Sequence, residues 1–594
     1  MLRAPATRAA RPDETCRATT CIPSGTDPMH QRIPIGIDDF RELRERNLEY
    51  VDKSHFIREV LDLAGTKVLL VPRPRRFGKT VNLSMLRYFL EKRDQDLSHL
   101  FEGLHIWQAG DAHRDHFQRY PVIHLTLKDI KFKSFKRCWQ SLAKKIADLF
   151  DQHRHVLEGG RLSELDARRY RQILEGTADQ VLYDSALGDL SRHLSAHHGQ
   201  QVVILIDEYD APIHAAFANG YAPRVLDFFR AFLTAGLKDN PYLFKAVLTG
   251  ILRVARESIF SGLNNLAAYS LLRRELSSCF GFTEDEVRAL LDRAGALDRL
   301  EAVRSWYNGY VFGGQVVYNP WSILSFLASE DRLLRGHWVA TSANDLVKDL
   351  LQRHALTLEA SFQTLMEGGA IERRLDENVA LGDLEDHEDA LWSLLVFTGY
   401  LRAEEGAGVP GEVPPYRLSI PNREVQEVYT STFRRWMESR LKGHGGSAEK
   451  LRRALLGGDA AALEQQLQAF VTNLLSVHDV TGVEPEQVYH AFVIGLLAML
   501  EPEYQVRSNR ESGEGRPDVL IRPTQVGKPG VVLELKVARS RKTPKQALAE
   551  GLAQIRKKGY TAELKAAGAS PVHAFAVAFD GKRVWVRGGA GRGR

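Results

Sequence analysis

A chain of 594 residues is too long for one hydrophobic core and should divide into several domains. Its 44% hydrophobic and 26% charged content is that of an ordinary globular protein, and its longest apolar runs, such as 491–500, are too short to cross a bilayer. A net charge of +5 excludes a global field that would draw in polyanions, so any nucleic-acid contact must come from local basic patches.

Residues 1–28, rich in Arg, Ala, Thr and Pro, show no periodicity and no secretory apolar core, which predicts a disordered leader. Met29 stands where patterned sequence begins, and a start there is the alternative reading. The four cysteines, Cys16, Cys21, Cys138 and Cys279, form no C-x-x-C pair. This spacing fits a reduced, cytoplasmic setting rather than a disulfide framework or a thiolate metal site.

Between about 33 and 281, apolar runs alternate with helical stretches, predicting a parallel α/β sheet with helices on both faces. The strands are expected at 68–71, 120–127, 202–206 and 244–248. The first runs into Arg73-Pro74-Arg75-Arg76-Phe77-Gly78-Lys79-Thr80 and then a helix. Strand, tight loop, Gly-Lys-Thr and helix is an arrangement that holds nucleotide phosphates: N–H groups at the helix start face the anion, Lys79 reaches the terminal phosphates and Thr80 takes Mg²⁺. The full pattern wants glycine where Arg73 stands, and Pro74 supplies no N–H. Read alone, the loop is also compatible with a basic surface turn.

The run at 202–206 is followed at once by Asp207 and Glu208, suited to holding Mg²⁺ and to polarising an attacking water. Thr249 ends the next strand, placed to sense a terminal phosphate, and Arg253 and Arg256 follow it as candidates for stabilising transition-state charge.

With these segments in view, residues 33–270 resemble the AAA-ATPase-like family of prokaryotic proteins. In that family the Arg-Pro-Arg-Arg-Phe-Gly-Lys-Thr loop is the ordinary phosphate loop. The resemblance therefore implies ATP as ligand, with Arg75, Arg76, Phe77, Gly78, Lys79 and Thr80 forming its cradle.

At 282–480 the pattern turns helical. Thr283 to Glu286 predicts a capping box, Gly313-Gly314 a tight hairpin between Tyr310–Phe312 and Gln315–Tyr318, and 398–420 a second hairpin behind a helix. A winged-helix-like module and a helical lid both fit. The segment 443–450 reads as a linker.

Residues 481–587 carry a second chemistry. Asp518 precedes an apolar strand, and Glu534 and Lys536 share one side of a strand at 531–537, read as half-buried. Two carboxylates and a lysine on neighbouring strands suit Mg²⁺ and phosphodiester hydrolysis. A salt-bridged exposed strand face is the plain alternative. Basic residues Arg539, Arg541, Lys542, Lys545, Arg556, Lys557 and Lys558 could follow a phosphate backbone past the site, and 588–594 is a basic Gly-rich tail.

The run from 486 to 560 also resembles a PD-(D/E)xK nuclease domain, an α/β restriction-endonuclease-like fold. That resemblance implies Glu486 as a further metal ligand and Gln554 as support beside Lys536, and it includes Tyr560 without a role. The expectation is an ATP- and Mg²⁺-dependent protein acting on nucleic acid, DNA above RNA, with no membrane segment. Assembly into a homo-oligomer is compatible with it but specified by no residue. The competing expectation is a nucleotide switch or remodelling ATPase whose C-terminal domain only binds nucleic acid.

Overall fold

The computed structural model describes residues 32–589 apart from 253–258, 261–262, 339–358, 367, 379–386, 407–413, 432–447, 475–492, 494–496, 498–499, 501–502, 509–516, 539–542 and 582. The expectations for 1–28, Arg253, Arg256, Glu486, Arg539, Arg541 and Lys542 lie outside the described residues.

Five strands form the N-terminal sheet: β1 (Val68–Pro72), β2 (Val122–Thr126), β3 (Val202–Asp207), β4 (Leu243–Gly250) and β5 (Leu266–Ala268). All its pairings are parallel, in the order β2-β3-β4-β1-β5. β1 and β3 are buried along their whole length, which is why their sequences are unbroken apolar runs rather than alternating ones. β4 lies between the phosphate-loop strand and the strand ending in Asp207. The carboxyl ends of all three thus meet at one edge, where ligands of open α/β sheets bind.

The capping box closes as expected: Thr283 accepts from the Glu286 N–H, and Glu286 accepts from the Thr283 N–H. Next comes the hairpin of β6 (Tyr310–Phe312) and β7 (Gln315–Val317), turned by Gly313 and Gly314, both at positive φ. That backbone pair needs glycine. Beyond it, helix Glu359–Met366, β8 (Ile371–Arg373), helix Glu388–Phe397, β9 (Arg402–Glu405) and β10 (Tyr416–Ser419) follow one another. The three strands pair antiparallel in the order β8-β10-β9. Helix, strand, helix and a two-strand return on which the first strand docks is winged-helix-like connectivity.

The C-terminal sheet runs β11 (Tyr504–Ser508), β12 (Val519–Pro523), β13 (Gly530–Val537), β14 (Val572–Asp580) and β15 (Arg583–Gly588), in that spatial order. Only β13 and β14 are parallel, joined across helix Pro544–Lys558. One sheet face packs on helices Ala448–Gly457 and Ala460–Leu474 through Leu455, Leu467 and Phe470. The sequence pattern places those helices in the middle region, 282–480. Their apolar faces instead complete the C-terminal core, and Gln468 and Glu464 accept the N–H groups of Val584 and Val586 on the edge strand β15.

Candidate nucleotide and phosphodiester sites

The phosphate loop leaves β1 and enters helix Lys79–Leu90 through Gly78, whose φ of 85° is left-handed. The Lys79 ammonium is buried and donates to the carbonyl oxygens of Arg73 and Pro74 at 3.1 and 3.2 Å. Burial lowers its pKa, and Glu208, Asp207 and Asp210 act against that shift. Two carbonyl oxygens are modest partners for a buried ammonium, so the group is poised to move to a stronger anion.

Arg73 resolves the missing glycine. Its side chain is fully buried, pointing into the fold rather than the loop, and donates to the carbonyl oxygens of Pro72, Tyr269 and Leu276. The guanidinium also lies over the rings of Phe280 and Phe312 at 5.1 and 5.5 Å. Burial lowers its pKa to about 10. The bulk that would crowd a phosphate thus anchors the loop from behind.

The ends of β3 and β4 and the start of helix Lys79–Leu90 converge at Asp207. Thr80 donates its hydroxyl to Asp207 Oδ2 at 2.7 Å, and Thr249 donates to Oδ1 at 2.5 Å. Asp207 is buried, and the oxygens of Thr80 and Asp207 form a hard donor set that fits Mg²⁺. Next to it, Glu208 holds a positive φ of 51°, uncommon for a residue with a side chain and typical of strained functional positions.

Several contributors were invisible in sequence. Asp210 is buried and accepts the N–H groups of Ile251 and Leu252 and a ring nitrogen of His214. Burial alone would raise its pKa; the bonds from His214, Ile251 and Leu252 bring it below the usual range. With Tyr209, whose hydroxyl donates to the Leu252 carbonyl, it fixes the chain immediately before Arg253. The middle region also touches the phosphate loop. Phe77 packs 5.0 Å from both Tyr310 and Phe312, and the Arg76 guanidinium sits 4.1 Å from the Trp321 ring centre. A Cβ placed on Gly399 would come within 3.1 Å of Pro74 Cβ, so the turn after helix Glu388–Phe397 abuts the loop closely. Arg75 is half-buried in the same loop.

In the second site the antiparallel register pairs Val519 with Leu533, and one further step sets Asp518 opposite Glu534. Asp518 Oδ2 accepts the Leu535 N–H at 2.7 Å, and Lys536 donates to Glu534 Oε1 at 2.8 Å. The three side chains expected to act together do meet. The expectation of a half-buried strand fails, however: Glu534 is 0% exposed, because helix Pro544–Lys558 covers that side of β13. Gly551 makes the close approach, since a Cβ there would lie 2.9 Å from Ala576 Cβ on β14 and 3.5 Å from Glu534 Cγ.

Burial, reinforced by the neighbouring Asp518, raises the Glu534 pKa to about 7 against the pull of Lys536. Its Oε2 is buried without a hydrogen-bond partner. A buried, unsatisfied carboxylate oxygen beside a second carboxylate fits a divalent cation and is costly without one. One helical turn beyond Gly551, Gln554 donates to the Tyr560 hydroxyl at 3.5 Å, which gives Tyr560 a role in orienting Gln554. Of the flanking basic residues, Lys545, Arg556 and Lys557 are exposed.

Among the described residues, no helix is long and apolar enough to cross a membrane. Cys138 and Cys279 are both buried free thiols. Residues 34–260 match the family model described as a predicted AAA-ATPase, and residues 484–588 match that of the PD-(D/E)XK nuclease superfamily. Over 557 residues the chain is 28% identical to an uncharacterized protein in the vnfD 5' region of Azotobacter chroococcum mcd 1, covering 93% of this chain and 96% of that protein. Both strand topologies agree with these matches. The chain is accordingly a fusion of an AAA-ATPase-like domain with a C-terminal domain of the PD-(D/E)XK nuclease superfamily.

Proposed function

We propose that the protein is a Mg²⁺-dependent nuclease acting on DNA, with ATP binding and hydrolysis in the N-terminal domain controlling cleavage in the C-terminal one. The observation that carries this reading is the buried Glu534, bonded to Lys536 through one oxygen and unpartnered at the other, opposite Asp518. In this reading Asp518 and Glu534 hold the metal, with Glu486 as a third ligand. A bound divalent ion there supplies Lewis-acid charge at the scissile phosphate. Lys536 orients the attacking water and offsets developing negative charge, and Gln554, steadied by Tyr560, supports that lysine.

In the N-terminal domain Lys79 binds the β- and γ-phosphates, with Arg75, Arg76 and Phe77 shaping the cradle. Thr80 and Asp207 hold the Mg²⁺ of the nucleotide, Glu208 orients water, and Thr249 reports on the terminal phosphate through Asp207. Arg253 meets transition-state charge. The domains are read as 29–281, 282–480 and 481–587, the last extended upstream to the helices from Ala448 that complete its core.

The packing of Phe77, Pro74 and Arg76 against the middle region favours one second reading, a nucleotide switch in which the C-terminal domain binds nucleic acid without cutting. Matched Lys79→Ala, Glu208→Gln and Lys536→Ala variants, assayed for ATP turnover and plasmid nicking, separate the two. The nuclease reading expects Lys536→Ala to abolish nicking while sparing ATP turnover. Nucleic-acid binding that survives Lys536→Ala, with no cleavage by the wild type under any divalent metal and nucleotide, would support the switch.

A further inference from the structure

Away from both sites, three histidines converge at the opposite end of the N-terminal sheet. His197 and His198 close helix Gln180–His198, and Gly199, at φ 67°, ends it three residues before β3. His155 opens the short helix His155–Glu158. One ring nitrogen from each of the three lies within 4.8 Å of the other two. His155 Nε2 and His198 Nε2 are 3.2 Å apart. Two nitrogens sharing a tetrahedral ion at about 2.0–2.1 Å would stand roughly 3.3 Å apart, so this pair is already at ligand spacing.

We propose that His155, His197 and His198 form a binding site for a divalent transition metal, Zn²⁺ foremost, that ties the 153–159 turn to the helix feeding β3. One feature supports coordination over a simple ring-to-ring hydrogen bond. His197 Nδ1 is buried with no hydrogen-bond partner, so a bond between His155 and His198 leaves the third ring unsatisfied. Gly159 lets the backbone lie against the His197 ring: a Cβ at 159 would fall 2.6 Å from its Cε1 and Nδ1.

The donor set decides the ion. All three ligands are imidazole nitrogens, and the nearby cations Lys92 and Arg161 add no attraction for a positive ion. Mg²⁺ and Ca²⁺, which need oxygen ligands, gain nothing here, whereas Zn²⁺, Ni²⁺ and Cu²⁺ bind through the nitrogens themselves. With three protein ligands the fourth position falls to water. The site lies at the amino end of β3, remote from Asp207 at its carboxyl end, so a bound ion would tie the 153–159 turn to the strand that carries Asp207 without entering the nucleotide site.

The test uses the untagged full chain, stripped with chelator and equilibrated with buffered Zn²⁺ in excess Mg²⁺. Bound zinc is counted by mass spectrometry, and Co²⁺ substitution is read by visible spectroscopy. His155→Ala removes an exposed ligand with little risk to folding, His198→Ala a second, and exposed His99→Ala is the control. The expected result is one fewer zinc per chain in both ligand variants than in wild type and control, at least about tenfold weaker binding, and a tetrahedral Co²⁺ spectrum lost with either ligand. A zinc-dependent rise in melting temperature should vanish in the same two variants. Equal zinc content in wild type, His155→Ala and His198→Ala, or no zinc in the wild type, would overturn the proposal.

Discussion

Glu534 holds its proton to about pH 7 in the folded, metal-free chain, because burial beside Asp518 outweighs the help of Lys536. In the unfolded chain the same group titrates near 4.3, as a rough reference. Between those values the folded state binds the extra proton, so stability falls as pH rises through that window. Urea unfolding of the metal-free protein should show this decline from about pH 4 to pH 7, and Glu534→Gln should flatten it. In the proposed site the ionised form is the ligand, so metal binding and cleavage should both rise as pH passes about 7; a nicking rate unchanged from pH 6 to pH 8 would contradict the assignment. At the other site, Thr249→Val removes one of the two hydroxyls donating to Asp207. A hydrogen bond to a charged group contributes about 1.5–3 kcal/mol, so ATP turnover should drop about tenfold or more. Nucleotide binding, measured by titration, should change less.

Among the elements, how much the sequence disclosed follows from how each one is buried. β1 and β3 announce themselves because strands covered on both faces need unbroken apolar runs, and β4 does so with Lys245 as its one interruption before Thr249. Their spatial order does not, since the placing of β4 between β1 and β3 is set by tertiary packing. β13 misleads in the other direction. Glu534 and Lys536 alternate with Leu533 and Leu535 as on an open face, yet helix Pro544–Lys558 lies over them, admitted by a glycine whose purpose is visible only in three dimensions. Gly551→Val should lift that helix off the sheet, costing about 1–3 kcal/mol of stability and most cleavage activity.

The phosphate loop gives a sharper case. From sequence, Arg73 is a departure from a glycine pattern; in the fold it is a buried anchor bonded to three carbonyl oxygens. Restoring the glycine should therefore weaken the domain, with Arg73→Gly losing about 3 kcal/mol in chemical denaturation. An unchanged midpoint would mean the anchor is unimportant.

Across the whole molecule, the described residues build separate cores. One runs from Phe40 to Tyr429 and joins the N-terminal sheet to the winged-helix-like strands, while two others, between Leu451 and Val584, serve the C-terminal sheet. Calorimetry should resolve two transitions, and Mg²⁺ with a non-hydrolysable ATP analogue should raise only the one belonging to the N-terminal core. The shared first core explains how the phosphate loop could inform the middle region: Phe77 packs between the two, with no linker intervening. What the sequence could not convey is this continuity, because Pro74 and Gly399 are 325 positions apart and meet only through the fold.

The most direct test is the rate of supercoiled-plasmid nicking by the full chain with Mg²⁺, with and without ATP, alongside Lys536→Ala and Lys79→Ala. Cleavage that depends on ATP, disappears with Lys536→Ala and loses its nucleotide response with Lys79→Ala is the predicted outcome. Equal nicking by wild type and Lys536→Ala would contradict it.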